Sequence, residues 1–303
     1  MIKVEALHPD RFQLGEGGYW DTRSDSLLAV DLWDRAVIRY HPSIPQLKRI
    51  NVDEEPHFAI PRSNGEGLVI TQGRSLNFLN EATGKVSPFV SEEKFELSAD
   101  GLINDGKCDA KGRLWLGTYV AGGSFDEVEK WKPNGALFRI SPDGAVSKQA
   151  DQIVLSNGLD WTTDSRTMLF ADSFGLRMYA FDFDLESGEL SNRRVFKQWE
   201  AGSEEFPDGL CIDADNKAWV AMVSSGRVIQ LDLETGKELQ SVSLPCKGVT
   251  CPNFGGKDLS VLYVTTSATL RLQGWPENPP EAGAIFKVTG LNAKGKAPNM
   301  FAG

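Results

Sequence analysis

The chain is poor in the residues that most hydrolases and redox enzymes use for chemistry. Its 303 residues include only three histidines (His8, His41, His57) and four cysteines. It contains no HExxH, no GxSxG, no GxxxxGK[ST] loop and no GxGxxG between a strand and a helix. Zinc-protease, serine-elbow, P-loop and dinucleotide machinery are therefore missing at motif level. Cys108, Cys211, Cys246 and Cys251 form no CxxC pair, which predicts free buried thiols in a reducing compartment, the cytoplasm. Basic residues are in deficit, 32 Lys and Arg against 42 Asp and Glu, for a net charge of −10. This balance argues against nucleic acid or an anionic membrane as partner. No apolar run is long enough to span a bilayer, and the opening MIKVEALHPD lacks the apolar stretch of a secretion signal.

What the chain has is repetition. Residues 206–222 read FPDGLCIDADNKAWVAM: a carboxylate on Pro207-Asp208-Gly209, an alternating apolar run, a polar turn and a second apolar run. Period-two patterning on both sides of an Asp-Asn turn predicts a β-hairpin. The phrase recurs at 156–172, 103–118 and 15–31, and more weakly at 56–72 and 250–266. Six units spaced roughly 40–55 residues apart predict an all-β, six-bladed β-propeller, forming one domain over residues 1–303. A lone strand at 4–7 and a terminal one at 283–288 can pair in one blade, closing the ring and removing its exposed edge.

The residues nine or ten places before each second strand are Glu16, His57, Asn104, Asn157 and Asp208, with Cys251-Pro252 in the sixth unit. If every blade sends the start of its inner strand to one face, these side chains ring the central channel. His57, beside Phe58 and Ile60, is a packing residue by its neighbours and a site residue only by its register. The glycine-led, acidic and aromatic stretch at 122–133 lengthens one unit. It reads equally as a solvated insertion or as a lid over the channel mouth.

Several of these phrases together carry a resemblance. Gly15-Glu16-Gly17 with Trp20-Asp21, Asn104-Asp105-Gly106-Lys107, Ser156-Asn157-Gly158-Leu159-Asp160-Trp161 and Pro207-Asp208-Gly209 resemble the SMP-30/gluconolactonase/luciferin-regenerating enzyme-like family. The resemblance implies an axial divalent-metal site held by Glu16, Asn157 and Asp208, with Asn104 beside the metal as ligand or substrate contact. Two carboxylates and neutral amides suit a hard cation, Ca²⁺ first, with Mg²⁺, Mn²⁺ or Zn²⁺ as alternatives. Such a site can polarise a lactone or ester carbonyl, with Asp208 as general base. The expected partner is a small lactone or ester, and the expected assembly a monomer or weak dimer. Hydrolysis of other esters or organophosphates, and non-enzymatic calcium binding, are the alternatives.

The chain departs from the family at two substrate positions. An arginine two places before the NDGK asparagine is Leu102 here, and an acidic residue after the GT motif is Gly122. Both family residues help hold sugar hydroxyls. Their loss predicts a roomier, more apolar pocket near Leu102, with Phe125 or Trp131 folding over it.

Overall fold

The repeated hairpins form six four-stranded sheets. The computed structural model describes residues 1–122, 127–203, 205–270 and 279–303. The inner strands of the six blades, in chain order, are Gly15–Asp21, Ala59–Pro61, Gly101–Cys108, Ser156–Trp161, Phe206–Ile212 and Val249–Gly255. Each pairs antiparallel with the strand that follows it. The sixth blade takes its outermost strand from the other end of the chain: Lys3–Ala6 pairs antiparallel with Phe286–Thr289, Val4 opposite Val288. This is the closure expected from sequence, and the fold is a six-bladed β-propeller.

The polar turns are built by aspartates. Asp213 Oδ1 accepts the backbone N–H of Asp215 (3.0 Å) and Lys217 (2.8 Å), while Oδ2 accepts Trp219 Nε1 (2.9 Å). Asp109 repeats the device with Lys111, Arg113 and Trp115. The residue that turns the corner is left-handed, Asn216 at φ 54° and Gly112 at φ 73°, a conformation that asparagine and glycine tolerate best. Each turn therefore also anchors a fully buried tryptophan between sheets, so one carboxylate serves both hairpin geometry and core packing.

The last ten residues form a strap across one end of the channel. Lys294 O accepts from Ala214 N (2.8 Å), Gly295 N donates to Leu259 O (2.8 Å), and Lys296 pairs with Asp160 (2.9 Å). Tyr19 donates to Pro298 O (3.3 Å), Asn299 to Cys108 O (3.2 Å), and Phe301 N to Pro61 O (2.9 Å). These contacts reach all six blades. The strap and its ion pairs close that end, which leaves the functional chemistry to the other.

Candidate functional site

Register breaks in the inner strands set the site. In five blades, two residues of the inner strand face one on its partner: 17–18, 104–105, 157–158, 208–209 and 250–251. Such a bulge re-aims the side chain it carries. Asn104, Asn157 and Asp208 each occupy its first position. Glu16 stands one residue earlier, before Gly17-Gly18, and is one methylene longer. Gly17 is left-handed at φ 61°. Gly158 lies so close to the neighbouring inner strand that a Cβ there would come within 2.4 Å of Leu210 N.

A second repeated device fixes the approach to two of these residues. The buried Asp31 carboxylate accepts the N–H groups of Gln13 and Leu14 at 3.2 Å, just before Glu16. Asp172 Oδ1 does the same for Val154 and Leu155 at 3.0 Å, just before Asn157. Both carboxylates end a second strand, so each hairpin positions its own first residues.

Glu16, His57, Asn104, Asn157 and Asp208 all line one cavity of about 140 Å³. The structure thus brings together the five polar ring residues expected from sequence. In the sixth blade the expectation is corrected. The first bulge position is Thr250, not Cys251, because this hairpin runs four pairs beyond its bulge where the other bulged blades run three. Thr250 Oγ1 is spent on Gly15 O at 2.6 Å, and Cys251 is buried against the Gly209 position. All four cysteines are free and buried.

The amides are oriented by neighbours. Asn157 Nδ2 donates to Ser173 Oγ (3.0 Å), and that hydroxyl donates to Pro207 O (2.6 Å). Asn157 Oδ1 is then the atom left for a ligand. Asn104 Nδ2 donates to Ser156 O (2.7 Å), so its Oδ1, 3.1 Å from His57 Nδ1, accepts from that ring. Burial pushes His57 down to about 4, against a smaller opposing effect of the Asn104 bond, and the ring is neutral near pH 7.

Charge at the cavity floor is unbalanced. Burial, then the negative charge of Asp208 and Asp105, raises Glu16 well above the usual carboxylate range. Asp208 is raised by burial and by Asp105. Asp208 Oδ1 is buried without a hydrogen-bond partner, and among the described residues no lysine or arginine lines the cavity. Two repelling carboxylates, one with an orphaned oxygen, and an amide oxygen turned toward them fit a hard divalent cation. Among the described residues no three His, Cys, Asp or Glu side chains gather as a metal-binding group; the third donor here is an amide, which that grouping does not include.

Leu102 and Gly122 are not among the lining residues. Leu102 is the cross-strand partner of Tyr119, which is. At Gly122 a Cβ would lie 2.6 Å from Trp131 Cα, so the missing side chain makes room for that tryptophan. Trp131 is buried and stacks on Tyr119 (5.7 Å between centroids, 24°), with Phe174 edge-on (4.8 Å, 85°). Phe125 and Asp126 lie outside the described residues. Sequence reasoning missed the apolar wall: Leu32, Trp33, Tyr119, Phe174, Val223 and Leu270 also line the cavity. These residues sit at strand ends and in connecting loops of five blades, where only ring closure shows that they meet.

Comparison with known proteins gives the family and the fold. Residues 14–268 match the SMP-30/Gluconolactonase/LRE-like region. Regucalcin of Homo sapiens is 40% identical over 304 residues, covering 100% of this chain and 99% of its own. The structure is similar to that of a luciferin-regenerating enzyme, with TM-score 0.91, 28% identity and full coverage of both chains. It also resembles a calcium-binding protein, regucalcin, from Agrobacterium tumefaciens (TM-score 0.87, 23% identity, 99% and 97% coverage). With the family matched over most of its length and a relative at 40% identity end to end, the chain belongs to the SMP-30/gluconolactonase/LRE-like family.

Proposed function

We propose that this protein is a divalent-metal-dependent hydrolase that opens lactones. One observation carries the reading: half-buried Glu16 and buried Asp208 face one cavity without a basic partner among the described residues, with Asp208 Oδ1 orphaned. Uncompensated buried charge is costly, and proteins keep it mainly where a ligand or reaction uses it. Glu16, Asn157 and Asp208 would hold the ion through oxygen atoms, a set suited to Ca²⁺ and also open to Mg²⁺, Mn²⁺ or Zn²⁺. When bound, a divalent ion supplies Lewis acidity toward a carbonyl oxygen and makes water more acidic.

The chain's own residues do the rest. Asp208 takes the proton from the attacking water at a carboxylate oxygen and returns it to the leaving oxygen of the opened ring. Asn157 is kept in one orientation by Ser173. Asn104, held by Ser156 and His57, faces the substrate beside the carboxylates. The apolar wall excludes bulk water, which strengthens every polar interaction at the floor.

A second reading is calcium binding without turnover, favoured by the description of the Agrobacterium tumefaciens relative as a calcium-binding protein. The same three residues serve both readings. The deciding experiment strips the protein of metal, resupplies Ca²⁺, Mg²⁺, Mn²⁺ or Zn²⁺ in turn, and follows acid release from a lactone panel that includes an aryl ester and a phosphotriester. Ion-dependent lactone opening supports the proposal. Ion binding with no turnover of any substrate overturns it in favour of the second reading, and selective phosphotriester cleavage overturns the substrate class.

A further inference from the structure

The inference that follows rests on the hydrolase reading and concerns what the cavity admits. Its volume, about 140 Å³, is close to the roughly 150 Å³ that accommodates a benzene ring. A five- or six-membered ring with one small substituent fills it. Eight of its fourteen lining residues are apolar or aromatic. This wall is braced: Trp131 holds Tyr119 and Phe174 from behind, and Phe174 in turn meets Phe206 edge-on (5.3 Å, 72°). Among the described residues no lysine or arginine faces the space, so an anionic substituent would meet no basic side chain of theirs there.

The polar floor is rich in acceptors, and most are already assigned. Glu16, Asp208 and Asn157 Oδ1 form the cation's donor set. Asn104 Oδ1 is taken by His57, and the Ser173 hydroxyl donates to Pro207 O. His57 differs from the others. Its backbone N–H is anchored to Thr71 Oγ1 (2.6 Å) and its Nδ1–H points at Asn104. Nε2 therefore carries a lone pair, and among the described residues it has no protein partner.

We propose that the cavity takes a small, neutral, mostly apolar lactone bearing a single hydroxyl next to the carbonyl, and that His57 Nε2 accepts that hydroxyl's hydrogen bond. A site built around one such acceptor rejects the analogue that lacks the donor. A polyhydroxylated ring fares worse, because each further hydroxyl pressed against the wall loses its water partners, at a cost of roughly ten-fold in affinity. His57 is thus a specificity-determining residue and Asn104 its positioning partner.

The test uses the full chain loaded with Ca²⁺ and three substrates: γ-butyrolactone, α-hydroxy-γ-butyrolactone and glucono-δ-lactone. Wild type should favour the hydroxylactone over γ-butyrolactone by on the order of ten-fold or more in kcat/KM, with gluconolactone last. His57→Leu should erase that preference, mainly through KM. His57→Gln keeps an acceptor oxygen and should retain part of the preference, which also controls for misfolding. Gluconolactone as the best substrate, or an undiminished preference in His57→Leu, would overturn the assignment. Binding of the unreactive α-hydroxy-γ-butyrolactam, read by quenching of tryptophan fluorescence, separates this inference from the hydrolase reading. His57-dependent lactam binding without turnover of any lactone defeats the hydrolase reading and leaves the recognition site standing. Lactam binding that ignores His57 defeats the site itself.

Discussion

Ser173 Oγ sits 3.0 Å from Asn157 Nδ2 and fixes which end of that amide faces the cavity. By donating onward to Pro207 O, the residue before Asp208, the same hydroxyl ties two inner strands together at the site. Ser173→Ala frees the amide to flip. Loss of such an orienting partner typically costs ~10–100-fold in metal affinity. Calorimetric titration with Ca²⁺ checks this, and an unchanged Kd would show that Asn157 needs no such support.

Glu16→Gln separates stability from ion binding. In the metal-free protein it removes a half-buried carboxylate that repels the buried Asp208, so its melting temperature should rise by a few degrees, or about 1 kcal/mol. The Ca²⁺-induced increase should shrink, because a charged oxygen donor has become neutral. Thermal unfolding with and without Ca²⁺ reads both signs at once. An equal Ca²⁺ increment in wild type and variant would remove Glu16 from the donor set.

Asp208→Asn preserves an oxygen donor and abolishes the base. At saturating ion, kcat should fall by ~10²–10⁴-fold, measured as acid release from whichever lactone wild type opens best. Near-normal kcat would assign proton transfer elsewhere.

His57 makes the protein's stability depend on pH. Its folded value, about 4, lies below the ordinary 6.5. Between these values the unfolded chain binds the extra proton and the folded one does not. Stability therefore rises with pH across this window, and lowering the pH from 6.5 to 4 removes up to about 3 kcal/mol. His57→Phe should flatten that segment of the profile in urea titrations. A slope identical to wild type would mean that the ring charges freely in the fold.

Phe301 anchors the strap. It is fully buried, edge-on to Phe89 of the second blade at 5.4 Å. Phe301→Ala should cost ~3–5 kcal/mol. Gly122→Glu tests the opposite side of the molecule. An acidic residue there, with arginine at position 102, is the family pattern. The 2.6 Å approach to Trp131 Cα means that it must displace the tryptophan, at ~1–3 kcal/mol, and loosen the wall. Urea midpoints of the two variants report both.

The chain's local patterning determined the fold class. Alternation across Asp-centred turns, repeated six times, leaves few arrangements other than a ring, because each hairpin buries its apolar faces only against a neighbour. The same periodicity picked out Glu16, His57, Asn104, Asn157 and Asp208, since equivalent positions in rotationally related blades must meet at the axis. Two matters needed the tertiary structure. The sixth hairpin runs one pair further beyond its bulge than the others, so its first bulge residue proved to be Thr250 and not Cys251. The wall of the cavity is assembled from Trp33, Tyr119, Phe174, Val223 and Leu270, far apart in the chain and inconspicuous in it. Side-chain contact across a closed ring depends on how blades pack, which no local spacing encodes. Hence the polar floor was readable one blade at a time, and the apolar wall of the cavity was not.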